Sequence, residues 1–249
     1  MNRKTRVLAV FCVVSLMSLL VSWSTVVPVN GATSCELLTS LSLPNVTITS
    51  AQTVAAGALT LPAAGAARGG AQTDEILKTL PAFCRVAATL QPSTDSDIKM
   101  EVWMPVSNWN GKYQAVGNGG WGGTLAYRPT AIGRSLSDAV RGGYATSSTD
   151  TGHTGGNAAF ALGHPEKLID FGWRAVHEMA VTSKKIIASY YESGPKFSYW
   201  NGCSAGGRQA TKEAQKYPAD FDGIIAGAPA IDWTARAASS PSNRANQPT

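Results

Sequence analysis

The sequence has 249 residues, of which 44% are hydrophobic and only 15% charged, so it can bury a sizeable core and has no solvated run of like charge. Its formal charge of +5 depends largely on Arg3, Lys4 and Arg6, and without that segment 18 basic residues stand against 16 acidic ones. This balance argues against nucleic acid or an anionic membrane as a partner.

The first 31 residues have the pattern of a secretory signal peptide. A basic start (MNRKTR) precedes an apolar run over residues 7–27 and small residues around Gly31 and Ala32, where we expect cleavage. An uncleaved membrane anchor is the alternative, but five Ser or Thr residues in the run and Pro28 at its end argue against it. No later stretch is apolar for long enough to span a bilayer, so we expect a secreted or periplasmic protein without stable membrane insertion.

Three cysteines remain once Cys12 leaves with the signal peptide. An exported protein meets an oxidising environment, in which thiols tend to pair. Cys35 and Cys84 both lie in the N-terminal third and can pair with each other, which leaves Cys203 without a partner. We interpret the odd cysteine as an indication that its partner lies outside this sequence.

The first half of the mature chain predicts strands. Residues 51–71 are rich in Ala, Gly and Thr; part of this stretch fits an exposed strand, and residues 65–70 fit a loop. Residues 98–104 alternate apolar and polar side chains, which predicts a half-buried strand. The Asn-Gly turn at residues 108–111 and a second strand at 112–116 then predict a hairpin.

Helices and short strands alternate in the second half. A glycine-rich stretch at 117–123 is followed by a helical pattern at 130–141 and a short buried strand at 144–148. The best helix spans residues 170–192, followed by a strand at 196–200, a helix at 205–217 and a strand at 223–226. This alternation predicts an α/β fold with a largely parallel sheet that helices cover on both faces.

The segment around Ser204 carries the strongest chemical signal. Gly202-Cys203-Ser204-Ala205-Gly206 matches G-x-S-x-G between a predicted strand and a predicted helix. A nucleophilic serine must stand on a strained turn, so the residues two positions away must lack side chains that would clash. The alternative is a turn whose small residues serve packing alone.

An oxyanion hole requires backbone N–H groups beside that serine. The N–H of Ala205 is one candidate, and the loop at Gly119 and Gly120 can supply the other. A purely conformational glycine loop fits the spacing equally well. Gly117, Gly119 and Gly122 also satisfy the phosphate-binding pattern G-x-G-x-x-G, but no helix is predicted to begin after it and an exported protein rarely meets nucleotides.

A complete catalytic triad is missing from the sequence. In this motif's usual order an acid and then a histidine follow the serine, yet no histidine lies beyond Ser204. His177 fits a packed helix residue, and His153 fits a structural turn better than a base oriented by Asp150. Without a histidine base, a serine hydroxyl is a poor nucleophile at neutral pH.

The motifs taken together resemble the tannase and feruloyl esterase family of secreted serine esterases. The resemblance covers most of the mature chain and is far more specific than G-x-S-x-G alone. It rests on residues 80–88 (LPAFCRVAA), 98–105, 117–120 (GNGG), 149–153 (TDTGH), 170–179 (DFGWRAVHEM), 201–209 (NGCSAGGRQ) and 221–230 (FDGIIAGAPA).

The resemblance implies an α/β-hydrolase core with a lid domain inserted after the nucleophile segment. By this resemblance, residues 32–249 are a partial hydrolase domain that stops near the lid. The triad acid and histidine, the lid and its calcium site are then expected beyond Thr249, and no cofactor or metal ligand is expected within the chain. Cys203 corresponds to the family cysteine that bonds a second cysteine beside the catalytic histidine. Ala205 stands where the family often has Thr, but only its backbone N–H is needed.

The leading hypothesis is that the full-length parent hydrolyses small aromatic esters through an acyl-enzyme on Ser204. The expected substrates are esters of hydroxycinnamic or hydroxybenzoic acids, possible constituents of plant cell walls or tannins, and residues 1–249 alone are expected to be inactive. The alternative hypothesis is a secreted binding module that keeps the hydrolase scaffold without catalysis. A nucleotide-binding protein that uses residues 117–123 is a weaker third.

Overall fold

The computed structural model describes residues 33–61, 75–128, 134–232 and 234–235. Three predicted features therefore lie wholly or largely outside the described residues: the signal peptide, the loop at 65–70 and the start of the helix at 130–141. Within the described ranges, no helix has the length and apolar character needed to cross a membrane.

A seven-stranded sheet runs through the described chain in the order β1-β2-β3-β5-β4-β6-β7. The strands are β1 Val46–Val54, β2 Phe83–Leu90, β3 Ile98–Pro105, β4 Lys112–Val116, β5 Ala145–Thr149, β6 Phe197–Cys203 and β7 Gly223–Gly227. Pairing is antiparallel from β1 through β2 and β3 to β5, and parallel from β5 through β4 and β6 to β7. The parallel half needs crossover connections, and these contain the helices.

Among the described residues, four α-helices have defined bounds: α1 Leu136–Arg141, α2 Pro165–Ile169, α3 Ala175–Tyr191 and α4 Ala205–Lys216. Three of them (α1, α3 and α4) pack on the two faces of the sheet. Val140 of α1 belongs to one buried cluster with Trp103 of β3, whereas Met179 of α3 and Ala210 of α4 belong to another with Val102 of β3. Because neighbouring residues of a strand point to opposite faces, the two clusters lie on opposite sides of the sheet, as predicted.

The predicted hairpin between β3 and β4 is wrong. β5 lies between the two strands, antiparallel to β3 and parallel to β4. Asn108 and Gly111 do adopt the positive φ expected of the turn, at 58° and 74°. However, the backbone N–H of Asn110 donates to the carbonyl of Gly143 at 2.9 Å, so the turn contacts the segment that leads into β5.

The prediction of a half-buried β3 is also wrong, because both of its faces are buried. Glu101 is only 6% exposed, and its carboxylate accepts two hydrogen bonds from Arg85, at 2.8 and 2.7 Å. The same carboxylate accepts from the indole N–H of Trp103 at 2.7 Å and the hydroxyl of Tyr127 at 2.8 Å. Glu101 and Trp103 therefore belong to a buried polar network, and Lys99 is the one exposed residue of this strand.

The predicted long helix over residues 170–192 is confirmed, with a different first turn. Asp170–Arg174 form one π-helical turn that leads into α3. The Asp170 carboxylate is fully buried and accepts a hydrogen bond from Arg174 Nε at 2.6 Å. α3 ends at Tyr191, and the next residue, Glu192, has a φ of 56° that terminates the helical backbone.

The N-terminal third contains a strand that the sequence did not predict and a disulfide that it did. β2 was missed, because apolar and polar residues do not alternate in its second half (VAATL), although burial alternates from Cys84 to Ala88. Cys84 of β2 bonds Cys35, with their Cα atoms 5.5 Å apart, so the predicted pairing of these cysteines is confirmed. The bond fastens the 3₁₀ helix Cys35–Ser40 to the sheet.

Candidate active site

Ser204 is the single residue that joins β6 to α4. Its backbone has φ 61° and ψ −117°, a strained conformation for a residue with a Cβ, which costs on the order of 1–3 kcal/mol. The neighbouring chain holds it there, since the Ser204 N–H donates to the Gly227 carbonyl at 3.0 Å and the Ser204 carbonyl accepts from the Ala230 N–H at 3.0 Å. The residue is exposed and its hydroxyl makes no capping bond to α4, so the hydroxyl is accessible.

The glycines of the motif are required by close backbone contacts. A Cβ on Gly202 would lie 2.4 Å from the carbonyl oxygen of Gly206. A Cβ on Gly206 would lie 3.0 Å from the Cα of Gly117, in the loop that follows β4. The motif therefore allows both the sharp bend at Ser204 and the close approach of α4 to the glycine loop.

The loop after β4 is fastened to α4 by hydrogen bonds from Asn118. The Asn118 carbonyl accepts from the Gly206 N–H at 2.9 Å. The Gln209 side chain accepts from the Asn118 N–H at 3.1 Å and donates to the Asn118 Oδ1 at 2.9 Å. Both side chains are buried. Gln209 lies within a motif quoted above, but its role was not predicted, because only the fold brings it next to residue 118.

These contacts hold Gly117 and Asn118, which directly precede the predicted oxyanion residues Gly119 and Gly120, against the start of α4. Gly119 and Gly120 are exposed, and their N–H groups have no acceptor among the described residues. The N–H of Ala205 is the first of the helix and has no partner within it. Free N–H groups and the positive end of the helix dipole favour an anion at this position.

The nucleotide-binding pattern in the same loop is explained by packing. A Cβ on Gly122 would lie 2.5 Å from Thr151 Oγ1, and one on Gly123 would lie 2.1 Å from the Gly155 carbonyl oxygen. Among the described residues, no helix begins until Leu136. These glycines therefore fit against residues 151–155 and do not form the start of a phosphate-binding helix.

His153 is a packing residue, as the sequence favoured. Its ring stacks on Phe160 at 3.8 Å, and its Nδ1 lies 3.3 Å from Thr151 Oγ1. Asp150 does not orient it, because the Asp150 Oδ1 accepts the backbone N–H groups of Lys99 and Gly152. Burial lowers the pKa of His153, so its neutral form is favoured.

The other two histidines also have partners of their own. His177 is half-buried on α3, with its Nδ1 2.7 Å from Asp220 Oδ2. His164 is exposed, with its Nδ1 2.9 Å from Asp95 Oδ1. Of the three histidines in the sequence, none forms a hydrogen bond with Ser204 in the described structure. A base for this serine is therefore not in place.

Cys203, directly before Ser204, has no bridging partner among the described residues. Its carbonyl accepts a hydrogen bond from Arg134 Nη1 at 2.7 Å. The expectation that its partner lies beyond Thr249 remains a prediction.

Comparison with known proteins identifies the family. A family model described as "Tannase and feruloyl esterase" matches residues 84–247, well over half of the chain. The chain belongs to this family. This chain is 42% identical over 206 residues to an uncharacterized esterase of Xanthomonas campestris. The match covers 82% of this chain and 33% of the relative. The chain is 40% identical over 164 residues to a probable feruloyl esterase B-1 of Aspergillus oryzae, a match that covers 66% of the chain and 29% of the relative.

Solved structures agree on the fold of this family member. Feruloyl esterase B from Aspergillus oryzae superposes with a TM-score of 0.68 at 35% identity, over 80% of this chain and 37% of that one. Tannin acyl hydrolase from Aspergillus niger shares the fold, with a TM-score of 0.58 at 23% identity, over 82% of this chain and 38% of that one. The resemblance and the α/β-hydrolase fold class are thereby confirmed. The chain spans about a third of the length of the curated relatives it matches.

We expect Gln209→Leu to loosen the glycine loop in the complete gene product. The change leaves the buried N–H and side-chain oxygen of Asn118 without their Gln209 partners, which should destabilise the protein by about 2–4 kcal/mol. Hydrogen exchange should accelerate in the peptide that contains residues 117–124. Gln215→Leu, on the exposed face of the same helix, is the matched control. Equal exchange rates in the two variants would contradict the assigned coupling.

A second expectation concerns Asp150, whose pKa is raised from 3.8 to about 6, chiefly by burial. The folded state therefore binds this proton more tightly than the unfolded state, and stability falls as pH rises from about 4 to 6, by up to ~3 kcal/mol. Asp150→Asn removes this loss, because the amide oxygen can still accept both backbone N–H groups. In thermal unfolding from pH 4 to 7, the unfolding temperature of Asp150→Asn should increase relative to that of the wild type as pH rises. The unfolding temperature of the exposed control Asp232→Asn should show no such relative increase. A constant difference across that range would contradict the assignment.

Proposed function

We propose that the complete protein hydrolyses carboxylic esters of aromatic acids through an acyl-enzyme on Ser204. The single observation that supports this most is the accessible hydroxyl of Ser204, held in strained backbone between a strand and the N-terminus of α4. The names of the relatives, which include feruloyl esterases, favour the same class of reaction.

The reaction follows from the groups around the serine. The Ser204 oxygen attacks the ester carbonyl and loses its proton to a histidine base, and the carbonyl oxygen becomes an oxyanion. The N–H of Ala205 and an N–H of the Gly119–Gly120 loop stabilise that charge. When this intermediate collapses, the alkoxide of the ester takes the proton from the histidine and leaves as the alcohol, and the acyl group stays on Ser204. Water then attacks the acyl-serine, releases the acid and restores the hydroxyl of Ser204.

The aromatic substrate class has support near the loop. Trp121 follows Gly120 directly, is partly exposed and stacks on Phe171 with ring centroids 5.9 Å apart. Phe171 in turn contacts Phe160 at 5.4 Å. An aromatic acyl group can pack on such rings with an energy of about 0.5–1.5 kcal/mol beyond simple burial.

The remaining parts of the site rest on the family resemblance. The histidine base, its acid and the cysteine that bonds Cys203 belong to sequence beyond Thr249, and so does the lid with its calcium. Export of the protein is part of the proposal, and the Cys35–Cys84 disulfide supports it.

The proposal predicts that Ser204→Ala abolishes hydrolysis of methyl ferulate and methyl gallate by the complete gene product. Loss of a nucleophilic serine lowers kcat by on the order of 10⁴–10⁶-fold. The measurement is steady-state hydrolysis of both esters, with Ser193→Ala, an exposed serine after α3, as the control. Hydrolysis that persists at the wild-type rate in Ser204→Ala would reject the serine mechanism and favour the binding module.

The chain of residues 1–249 alone is predicted to lack this activity. Ser204 has no histidine partner in the described structure, and an unassisted serine hydroxyl is a weak nucleophile. The assay compares the purified chain, checked for native near-ultraviolet circular dichroism, with the complete gene product on the same esters. Turnover by the shorter chain that Ser204→Ala removes would refute the prediction.

A further inference from the structure

A buried acid lies at the end of α4 opposite to Ser204. Glu213 is 0% exposed, and neither of its carboxylate oxygens has a hydrogen-bond donor among the described residues. An isolated carboxylate in such a place carries a large desolvation penalty unless a positive charge or a proton compensates it. The mechanism proposed for Ser204 makes no use of this group.

Two further ligand-type side chains surround Glu213. His177 comes from α3, and Asp220 from the turn between α4 and β7. One ligand atom of each residue lies within 4.8 Å of the other two. His177 Nδ1 is already 2.7 Å from Asp220 Oδ2, while its ring stacks on Tyr217 at 3.7 Å. Glu213 and Asp220 are buried, and His177 is half-buried at the edge, which gives the cluster a route to solvent.

The cluster contains more acidic than basic side chains. The Lys184 ammonium group is close to the cluster, and it donates to the backbone carbonyl of Asp220 and not to a carboxylate oxygen. The cluster thus holds the carboxyl groups of Glu213 and Asp220 beside a single ammonium group. A buried group with this excess of carboxyl groups favours either a bound proton or a metal ion.

We infer that His177, Glu213 and Asp220 form a binding site for a divalent transition-metal ion, with Zn²⁺ the best match. Imidazole nitrogen and carboxylate oxygen are both zinc ligands, and three protein ligands leave a fourth position for water. The imidazole favours zinc over calcium and magnesium, which prefer oxygen ligands. The ion replaces the hydrogen bond between His177 and Asp220, as the imidazole proton moves to Nε2 and frees Nδ1.

Such an ion would connect three separate elements. It would join α3 and the C-terminal end of α4 to the segment that leads into β7. The last residue of β7, Gly227, accepts the hydrogen bond from the Ser204 N–H. The role that follows from this position is to stabilise α4 at the end opposite to the candidate active site.

The test is a metal titration of the complete gene product, stripped with chelator and then kept in excess calcium. Zn²⁺ should bind with one more equivalent per chain in the wild type than in His177→Gln or Glu213→Gln, and should raise the unfolding temperature of the wild type alone. We expect the variants to bind at this site at least about 100-fold more weakly, since even changes to groups behind the ligands weaken metal sites about 10- to 100-fold. Co²⁺ should give a visible spectrum without a thiolate charge-transfer band, which excludes Cys203 as a ligand.

His164→Gln is the matched control, because it breaks an exposed His–Asp pair elsewhere in the fold and should leave the extra equivalent in place. Equal binding by the wild type, His177→Gln and Glu213→Gln would overturn the proposal. The cluster would then hold a proton instead, in line with a pKa of Glu213 that burial and Asp220 raise to about 8. If Glu213→Gln does not fold, the half-buried His177→Gln decides the question.

Discussion

The contact between Gly117 and Gly206 is the constraint on which the candidate active site depends. The start of α4 can approach the loop after β4 only because neither residue has a side chain. That approach lets the Gly206 N–H reach the Asn118 carbonyl and brings Gln209 within hydrogen-bond distance of Asn118. The loop that contains Gly120 and the helix start at Ala205, 85 residues apart in sequence, are thereby held together by backbone packing and buried amide pairs.

The chain around the end of β7 maintains the strained backbone of Ser204. A serine at φ 61° persists because both its N–H and its carbonyl are engaged by the chain around the end of β7, at Gly227 and Ala230. Its hydroxyl takes no part in these bonds and remains accessible. The backbone thus fixes the position of the oxygen, while the chemistry of the oxygen depends on a base that no described histidine supplies.

Polar groups buried away from this site serve different purposes. Glu101 is paired with an arginine and two further donors, so its charge contributes to a structural network between β2, β3 and the loop at Tyr127. Glu213 has no such donors in the part of the chain that the structure describes, although it is buried more completely. The hydrogen bonds of Glu101 account for its burial, whereas the burial of Glu213 is better explained by a bound ion.

The sequence by itself determined the family, the α/β class and most of the elements around Ser204. Local patterns sufficed there, because the strand–serine–helix order, the glycines and the long amphipathic helix are all encoded within short segments. The pairing of Cys35 with Cys84 was predicted from their shared position in the N-terminal third and the oxidising environment of an exported protein.

Only the tertiary structure decided which strands are neighbours and which polar residues meet. β5 enters between β3 and β4 because strand order is set by packing over the whole sheet, whereas a turn signal reports only on its own residues. The partnership of Asn118 with Gln209 and the cluster of His177, Glu213 and Asp220 join residues from distant segments. No local pattern specifies such contacts, since they exist only once the sheet has brought the ends of its helices and loops together.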